Sequence, residues 1–477
     1  MIPSSFPTLS VIQYRTFTEQ ILSAPMKPKQ ARESASPARR RAYDILLRVE
    51  TERAYAAPLI AALADTDLSP EDRALTQEIV LGVLRLRMAL DYFIARYCER
   101  PLERLDVPVL IALRIGLYQL RYLARVPRSA AVNESVKLVK QKGAASAAGL
   151  VNAVLRNAAR HPDEKPGDGV ADPIERASVE LSHPRWMLDR WQTTLGADDA
   201  RRLALANNAP PATAFRINAL CSSREEVLSD LEIKGVRARA SELTPGAFVV
   251  ESGPARLVNE AARQGLIYIQ DEASQLVSLL LEPRAGHRVL DLCAAPGSKA
   301  SHIAALIEDQ GWVLACDLHP HRLRVLRATC KRMGIKSIDA IALDATQPFP
   351  FLENAQTFDR VLLDAPCSGT GTLRSNPEIK WRLSLADLAR LAALQLNLLE
   401  RAASSVAVAG RLVYSTCSIE REENEEVVNR FLAGGASFKL VRPSTRADSI
   451  TSEGFVRTYP HKHGCDGFFA AVLERTS

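Results

Sequence analysis

Several things are missing from this chain, and each absence narrows the reading. No run approaches 18 apolar residues, so nothing reads as a membrane span. The first 36 residues are irregular and lack an apolar core followed by a cleavage site, which argues against a secretory leader; Met26 offers an alternative start, which would make residues 1–25 dispensable. The eight cysteines form no Cys-x-x-Cys pair and no Cys/His cluster at zinc spacing, so no metal is expected. "HKH" at 461–463 has two histidines and no third ligand. The Gly-x-Gly-x-x-Gly fingerprint is also absent, which argues against NAD and FAD. Acid is scarce in one place: Arg114 to Arg160 holds nine Lys/Arg against the single Glu134, while the rest of the chain reads as balanced around a net +6. A local basic face fits a polyanion.

What is present sorts by hydrophobic period. A chain of 477 residues is long for one core. Residues 1–36 form the irregular extension. Residues 37–162 read as amphipathic helices joined by short loops, a bundle with "PVLIALRIGLYQLRYL" at its centre. Residues 163–275 begin with a Pro/Gly/acid linker to about 180 and continue as a small α+β insert, with strands at "TAFRINAL", "AFVVES" and "LIYIQ" and a helix at "REEVLSDLEIKG". Residues 276–477 alternate apolar runs with helices, from "HRVLDLCAA" to "FFAAVLE". That pattern predicts an α/β domain with a parallel sheet covered on both faces and function at the strands' carboxyl ends.

"VLDLCAAPGSKASHIAAL" reads as strand, tight turn, helix. Gly297 is expected to let the backbone approach a ligand, and Pro296 to stiffen the turn. Asp317, twenty residues on, is placed for ribose hydroxyls, and Asp344, at the end of the third strand, for an adenine edge. A nucleoside without pyrophosphate fits, and S-adenosylmethionine (SAM) is the common one. Lys299 would reach the SAM carboxylate.

Asp364-Ala365-Pro366-Cys367 ends the fourth strand, and Cys417 lies in "YSTCS" at the end of the fifth. A thiol at such a strand end suits carbon 5 of a pyrimidine. Thiolate addition to carbon 6 turns the ring into an enamine, and a carboxyl group near ring nitrogen 3, here Asp364, steadies the charge. Spacing alone leaves open which thiol attacks. "EREENEEVV" reads as a charged helix start, its acids favoured by the dipole, and Trp186 and Trp191 as packing residues.

"FDRVLLDAPCSG", "DLCAAPGSK", "RSNPEIKW", "YSTCSIEREENE" and "HGCDGFF" together resemble the NOL1/NOP2/Sun family of RNA cytosine-5 methyltransferases over residues 180–477. The helical front, with "SAAVNESVKLVK" and "GLVNAVLRN", resembles the NusB-like RNA-binding domain. The resemblance implies a NusB-like bundle, a small α+β insert and a Rossmann-like SAM-dependent domain. It implies methylation of one cytosine of 16S rRNA at carbon 5, with Cys417 as nucleophile and Cys367 assisting release. Cys293, Ala294, Ala295, Pro296, Gly297, Ser298 and Lys299 would line the SAM site with Asp317, Asp344 and Asp364; Ser298 stands where a second glycine is usual. The expected partner is protein-poor 16S rRNA, met by a cytoplasmic monomer, with no DNA and no membrane. Two alternatives stay open: the same chemistry on tRNA, and an inactive RNA-binding assembly factor.

Overall fold

A computed structural model describes residues 34–351 and 357–477. The expectations for the irregular extension before Ser34, including Met26 as an alternative start, lie outside the described residues. Among the described residues, no helix is long and apolar enough to cross a membrane. The chain forms two compact units: one comprises residues up to 54, 60–80 and 93–164, the other residues 55–59, 81–92 and 165–477.

The first unit is helical. Its main elements are α1 (Pro37–Thr51), α5 (Val107–Tyr122), α6 (Arg128–Gln141) and α7 (Ala148–Arg160). As its apolar composition requires, α5 is central, with Ile111, Ala112, Leu113, Ile115 and Leu117 buried. Gly116 lets α6 and α7 close on it, since a Cβ there would fall 2.5 Å from Leu155 and 2.8 Å from Ser135 Oγ. Glu134, the lone acid of the basic stretch, is spent inside the unit. It accepts from the Ser36 backbone N–H at 2.6 Å and pairs with Lys137 at 2.9 Å. Burial alone would raise its carboxyl, but these two partners and Arg39 hold it below the usual range. Arg125, Arg128, Lys140, Arg156 and Arg160 remain exposed.

Three helices contribute residues to both units: α2 (Ala56–Ala61), α3 (Pro70–Arg85) and α4 (Arg87–Tyr97). The C-terminal carbonyls of a helix lack intrahelical donors. Those of α3 are satisfied within the second unit: Trp381 Nε1 donates to Leu84 O at 2.7 Å, and Lys380 Nζ to Arg85 O at 2.8 Å. Lys380 also donates to Ser182 O and Asn208 Oδ1, and burial followed by the Arg85 charge holds its ammonium well below the usual lysine range.

The stretch expected to be a linker is partly helical. Asp172 caps α8 (Pro173–Leu181), accepting from the N–H groups of Ile174 and Glu175, with proline at the first helical position. Next come α9 (Arg185–Leu195) and α10 (Ala197–Asn208), around Trp191, which is 2% exposed and packs as expected with Trp186 beside it. The α+β insert is an antiparallel sheet of order β2-β3-β1-β4, from β1 (Ala214–Ile217), β2 (Arg237–Ala240), β3 (Ala247–Ser252) and β4 (Ile267–Ile269). It carries α11 (Arg224–Ile233) and α12 (Ala255–Arg263). Strand β2 is not expected from the sequence, because it alternates arginine and alanine and has no apolar face.

Helix α13 (Glu272–Leu280) leads into the large sheet, whose order is β10-β12-β9-β8-β5-β6-β7. Five strands run parallel: β5 (Arg288–Leu292), β6 (Trp312–Asp317), β7 (Ile338–Ala342), β8 (Phe358–Asp364) and β9 (Val406–Thr416). Helices α14 (Ser298–Leu306), α15 (Pro320–Met333) and α16 (Leu385–Ser404) connect them, and α17 (Glu425–Ala433) follows β9. The sheet is mixed rather than wholly parallel: β12 (Phe469–Arg475) lies antiparallel to β9, with β10 (Phe438–Leu440) beyond it and the short β11 (Val456–Arg457) alongside. The order reverses between β5 and β8, so a crevice opens at their carboxyl ends. Asp344 lies two residues past β7 rather than at its end, is exposed, and accepts from its neighbour Thr346.

Lys380→Met leaves three buried acceptors without their donor. We expect it to lower unfolding stability by about 2–3 kcal/mol. A denaturant titration showing a loss under about 0.5 kcal/mol would remove the structural role assigned to this ammonium.

Candidate active site

The register of β8 and β9 pairs Asp364 with Ser415, so the loops leaving these two strands begin side by side. Cys367 and Cys417 follow, and their Sγ atoms are 3.2 Å apart, both half-buried. Asp364 accepts from Ser415 Oγ at 2.9 Å and from Lys299 Nζ at 2.7 Å. The Lys299 ammonium lies over the Phe468 ring at 5.2 Å. Burial alone would lower its pKa, but the Asp364 carboxylate, with Cys417 and Asp291 adding to it, raises it, so the lysine stays charged. Lys299 is therefore bonded to the acid and lies within electrostatic reach of Cys417.

The two thiols differ in surroundings. The contact with Cys417, then burial, then the charges of Glu423 and Asp364 push the Cys367 thiol well up, so it keeps its proton at neutral pH. The cation of the site sits instead beside Cys417.

One carboxylate holds both cysteine loops. Glu423, fully buried, accepts from the Ser368 N–H at 2.8 Å, Ser368 Oγ at 2.5 Å, Ser418 Oγ at 2.5 Å and Gln395 Nε2 at 3.0 Å. Ser368 follows Cys367, and Ser418 follows Cys417. Charge-assisted hydrogen bonds are the strong ones, and four of them offset the desolvation of a carboxylate that has no cation. The charged helix start read in "EREENEEVV" is found with Glu425 and Glu426 in its first turn, but two earlier acids do other work: Glu423 faces inward, and Glu420 is buried against Arg190 at 3.1 Å and Trp191 Nε1 at 3.3 Å. Helix α17 begins only at Glu425, so the acids before it sit in a 3₁₀ turn whose side chains helical periodicity does not predict.

A third segment closes the site. Gly371 N–H donates to Cys417 O at 2.9 Å, and Gly467 N–H donates to Gly371 O at 2.8 Å. A Cβ on Gly371 would fall 1.9 Å from Gly467 O, so only glycine allows this crossing.

The loop from Cys293 to Lys299 lies across the order reversal, at the end of β5. Ala294 N–H donates to Cys316 O at 2.8 Å, and Asp317, 2% exposed, accepts from Ala295 N–H at 3.3 Å and His319 N–H at 2.9 Å. Gly297 takes φ 105°, and a Cβ there would fall 2.9 Å from Leu326 of α15. Its lack of a Cβ lets α15 pack closely against the loop. Pro296 and Ser298 lie at the loop surface. The Cys293 thiol is pushed up to about 12 by burial and by Asp364, Asp317 and Asp291.

Asp291 is the site residue that sequence reasoning does not find. It sits within β5, fully buried, and neither carboxylate oxygen has a partner. Burial, then Asp364, raises its carboxyl well above the usual range; Lys299 opposes and Asp317 adds. Asp291, Asp317 and Asp364 thus converge on Cys293, opposed among the described residues by Lys299 and by Arg322, the latter 3.3 Å from Asp317. The signal was an acid in the middle of an otherwise apolar strand, "RVLDL".

Comparison with known proteins now separates the possibilities. Family models match three segments: "16S rRNA methyltransferase RsmB/F" over residues 278–474, "NusB family" over 36–160, and "Methyltr_RsmF/B-like, ferredoxin-like domain" over 183–255. The probable ribosomal RNA small subunit methyltransferase B of Bacillus subtilis is 34% identical over 91% of this chain and 98% of its own. The chain belongs to the ribosomal RNA small subunit methyltransferase B family. The enzyme of that name from Pseudomonas syringae is 37% identical over 84% of this chain and 89% of its own. The crystal structure of PH0851 covers 93% of this chain and 99% of its own at TM-score 0.80 and 29% identity. As a methyltransferase of this family, the protein is an enzyme with a NusB-type helical domain, a small α+β region and a Rossmann-like domain, and the thiol pair and the acid-lined crevice lie in that last domain.

Glu423→Gln puts an amide N–H₂ in place of one oxygen, either Oε2, which accepts from the two serine hydroxyls, or Oε1, which accepts from the Ser368 N–H and Gln395 Nε2. We expect turnover to fall roughly 30–100-fold, on the order of 2–3 kcal/mol. Steady-state kinetics within twofold of the parent would show that the thiol loops hold without it. Asp291→Asn tests the buried acid through linkage. The folded protein holds the Asp291 proton to higher pH than the unfolded chain, so the parent loses stability as pH climbs above about 3.9. The Tm gap in favour of the variant should widen from pH 5 to pH 8; a gap independent of pH would contradict the raised carboxyl.

Proposed function

We propose that the enzyme methylates carbon 5 of a cytosine in 16S rRNA, drawing the methyl group from SAM, through a covalent adduct between Cys417 and carbon 6. The observation that carries this is the thiol pair, 3.2 Å apart, beside an acid–lysine pair. Methylation of an amine or a hydroxyl needs no thiol, whereas carbon 5 of a pyrimidine needs a nucleophile that adds and then leaves.

The acid-lined crevice fits SAM, whose sulfonium and ammonium groups are positive. The loop Cys293–Lys299 with Asp317, Asp344, Asp364 and the unpartnered Asp291 would hold it. SAM supplies an electrophilic methyl group. The protein's own residues do the rest. Cys417 loses its proton to solvent and its sulfur adds to carbon 6, sending the electron pair of the 5,6 double bond into the ring. The Lys299 ammonium, held in place by Asp364, stabilises the negative charge that addition creates. After methyl transfer the carbon 6–sulfur bond breaks and its electron pair returns to Cys417. Cys367, kept protonated by its surroundings, gives its proton to the departing sulfur and recovers one from carbon 5, so protons balance. Both thiols, the acid and the lysine come from one chain, which supports a monomer. A target base must leave its stack to present both faces, which favours protein-poor rRNA, met in the cytoplasm.

Cys367→Ala tests the assignment. Incubated with unmodified 16S rRNA and SAM, it should yield a slowly migrating protein–RNA band that survives denaturation, because attack proceeds and release fails. Cys417→Ala should give no band. A band from Cys417→Ala and none from Cys367→Ala would exchange the two roles.

A further inference from the structure

We infer that the exposed face of α15 is a contact surface for the RNA backbone, separate from the basic face of the helical unit. This rests on the rRNA substrate proposed above. The helix, "PHRLRVLRATCKRM", contains no acid. With Lys336 just beyond it, it carries Arg322, Arg324, Arg327, Lys331, Arg332 and Lys336, all exposed. Leu323, Leu326, Cys330 and Met333 face the core, so the cations occupy the opposite side. Arg322 is engaged by Asp317, and Arg327 donates to Ala340 O at 2.5 Å. Among the described residues, Arg324, Lys331, Arg332 and Lys336 make no ion pair. Asp309 accepts from the backbone N–H groups of Lys336 and Ser337 rather than pairing with the Lys336 ammonium.

Lys331 and Arg332 lie in the last turn, where cations favour the helix C-terminus, but four exposed cations without ion pairs among the described residues repel each other on one short surface and favour an anionic partner. The position of the helix favours RNA. Its first turn touches the cofactor loop, where Arg322 donates to Ala295 O at 2.5 Å. Its last turn meets the α+β insert: Asn218 Nδ2 donates to Met333 O at 3.0 Å, and a Cβ on Gly265 would fall 2.2 Å from Arg332 O. The fourteen residues span roughly 20 Å. The cations therefore form a track from the insert to the rim of the catalytic crevice, where phosphates flanking the target base would pass. Phosphate contacts of this kind set position rather than sequence.

The test uses the full chain with Arg324, Lys331 and Lys336 changed together to Gln. All three are exposed, and unchanged Tm and SAM binding would show the fold intact. We expect KM for 16S rRNA to rise about tenfold with kcat within twofold. The slope of log Kd against log salt should flatten by about 2, near 0.7 for each single-strand phosphate that the variant no longer neutralises. A control variant changes three exposed cations on another face, Arg390, Arg401 and Lys439, to Gln. Equal effects in both variants would reduce the result to net charge and overturn the proposal, as would an unchanged KM and slope in the α15 variant. If the parent enzyme failed to methylate 16S rRNA, the functional reading would fall. The salt slopes of the variants on the same RNA would still decide the binding surface.

Discussion

A single buried carboxylate sets the geometry on which this enzyme depends. Two thiols on separate loops, after separate strands, must meet within van der Waals distance, and loops do not hold such a spacing unaided. Glu423 supplies the constraint by accepting from the residue after each cysteine. Gln395, from α16, ties that carboxylate to the helix between the two strands and donates also to Pro366 O at 2.9 Å. Tyr414, near the end of β9, donates its hydroxyl to the Glu423 carbonyl at 2.5 Å, so even the backbone of the turn is fixed. The crossing of Gly371 with Gly467 and Cys417 then limits movement from the other side. An acid chosen for structure also shapes chemistry, because its charge helps keep the Cys367 thiol protonated.

The cofactor side follows the opposite rule. Around Glu423 every oxygen has donors, whereas Asp291 has none. An unsatisfied buried acid costs stability, and such strain is tolerated where function repays it. The thiol end is thus pre-organised and internally satisfied, while the loop end is left short of positive charge. Lys299 stands between them, bonded to Asp364 and close to Cys417, and links the two halves of the crevice.

Much of this was legible in the sequence, because strand-end residues are fixed by register. Once the apolar runs are read as parallel strands, Asp364 and Cys417 emerge at the same end of the sheet, and they meet if the fourth and fifth strands are neighbours; the strand order itself, with its reversal beside β5, is not written in the sequence. Less legible were features set by side chains crossing between distant segments. Nothing local in "EREENEEVV" marks Glu423 as buried; its partners lie at 368, 395 and 418. Gly297 reads as a ligand-facing glycine, and the sequence does not show that Leu326, on a later helix, also demands it. The stretch before residue 181 reads as a linker by composition, yet the Asp-Pro pair at 172–173 is a helix start, and the burial of Val179 and Leu181 completes the helix. The antiparallel β12 looks like any other apolar run, since its direction depends on the chain's return path. The cations of α15 are hidden by balance over the whole chain, because charge counted by segment does not show charge gathered on one face.

The account stands on Cys417 as the atom that joins the RNA. An rRNA fragment carrying 5-fluorocytosine at the methylated position would trap the parent enzyme, since fluorine cannot leave as a proton and the adduct cannot resolve. Protease digestion and mass spectrometry of the trapped complex would locate the bond. The account predicts a nucleotide mass on the peptide containing Cys417 and an unmodified Cys367. A nucleotide on Cys367, or no covalent complex with an enzyme that methylates the unfluorinated fragment, would contradict it.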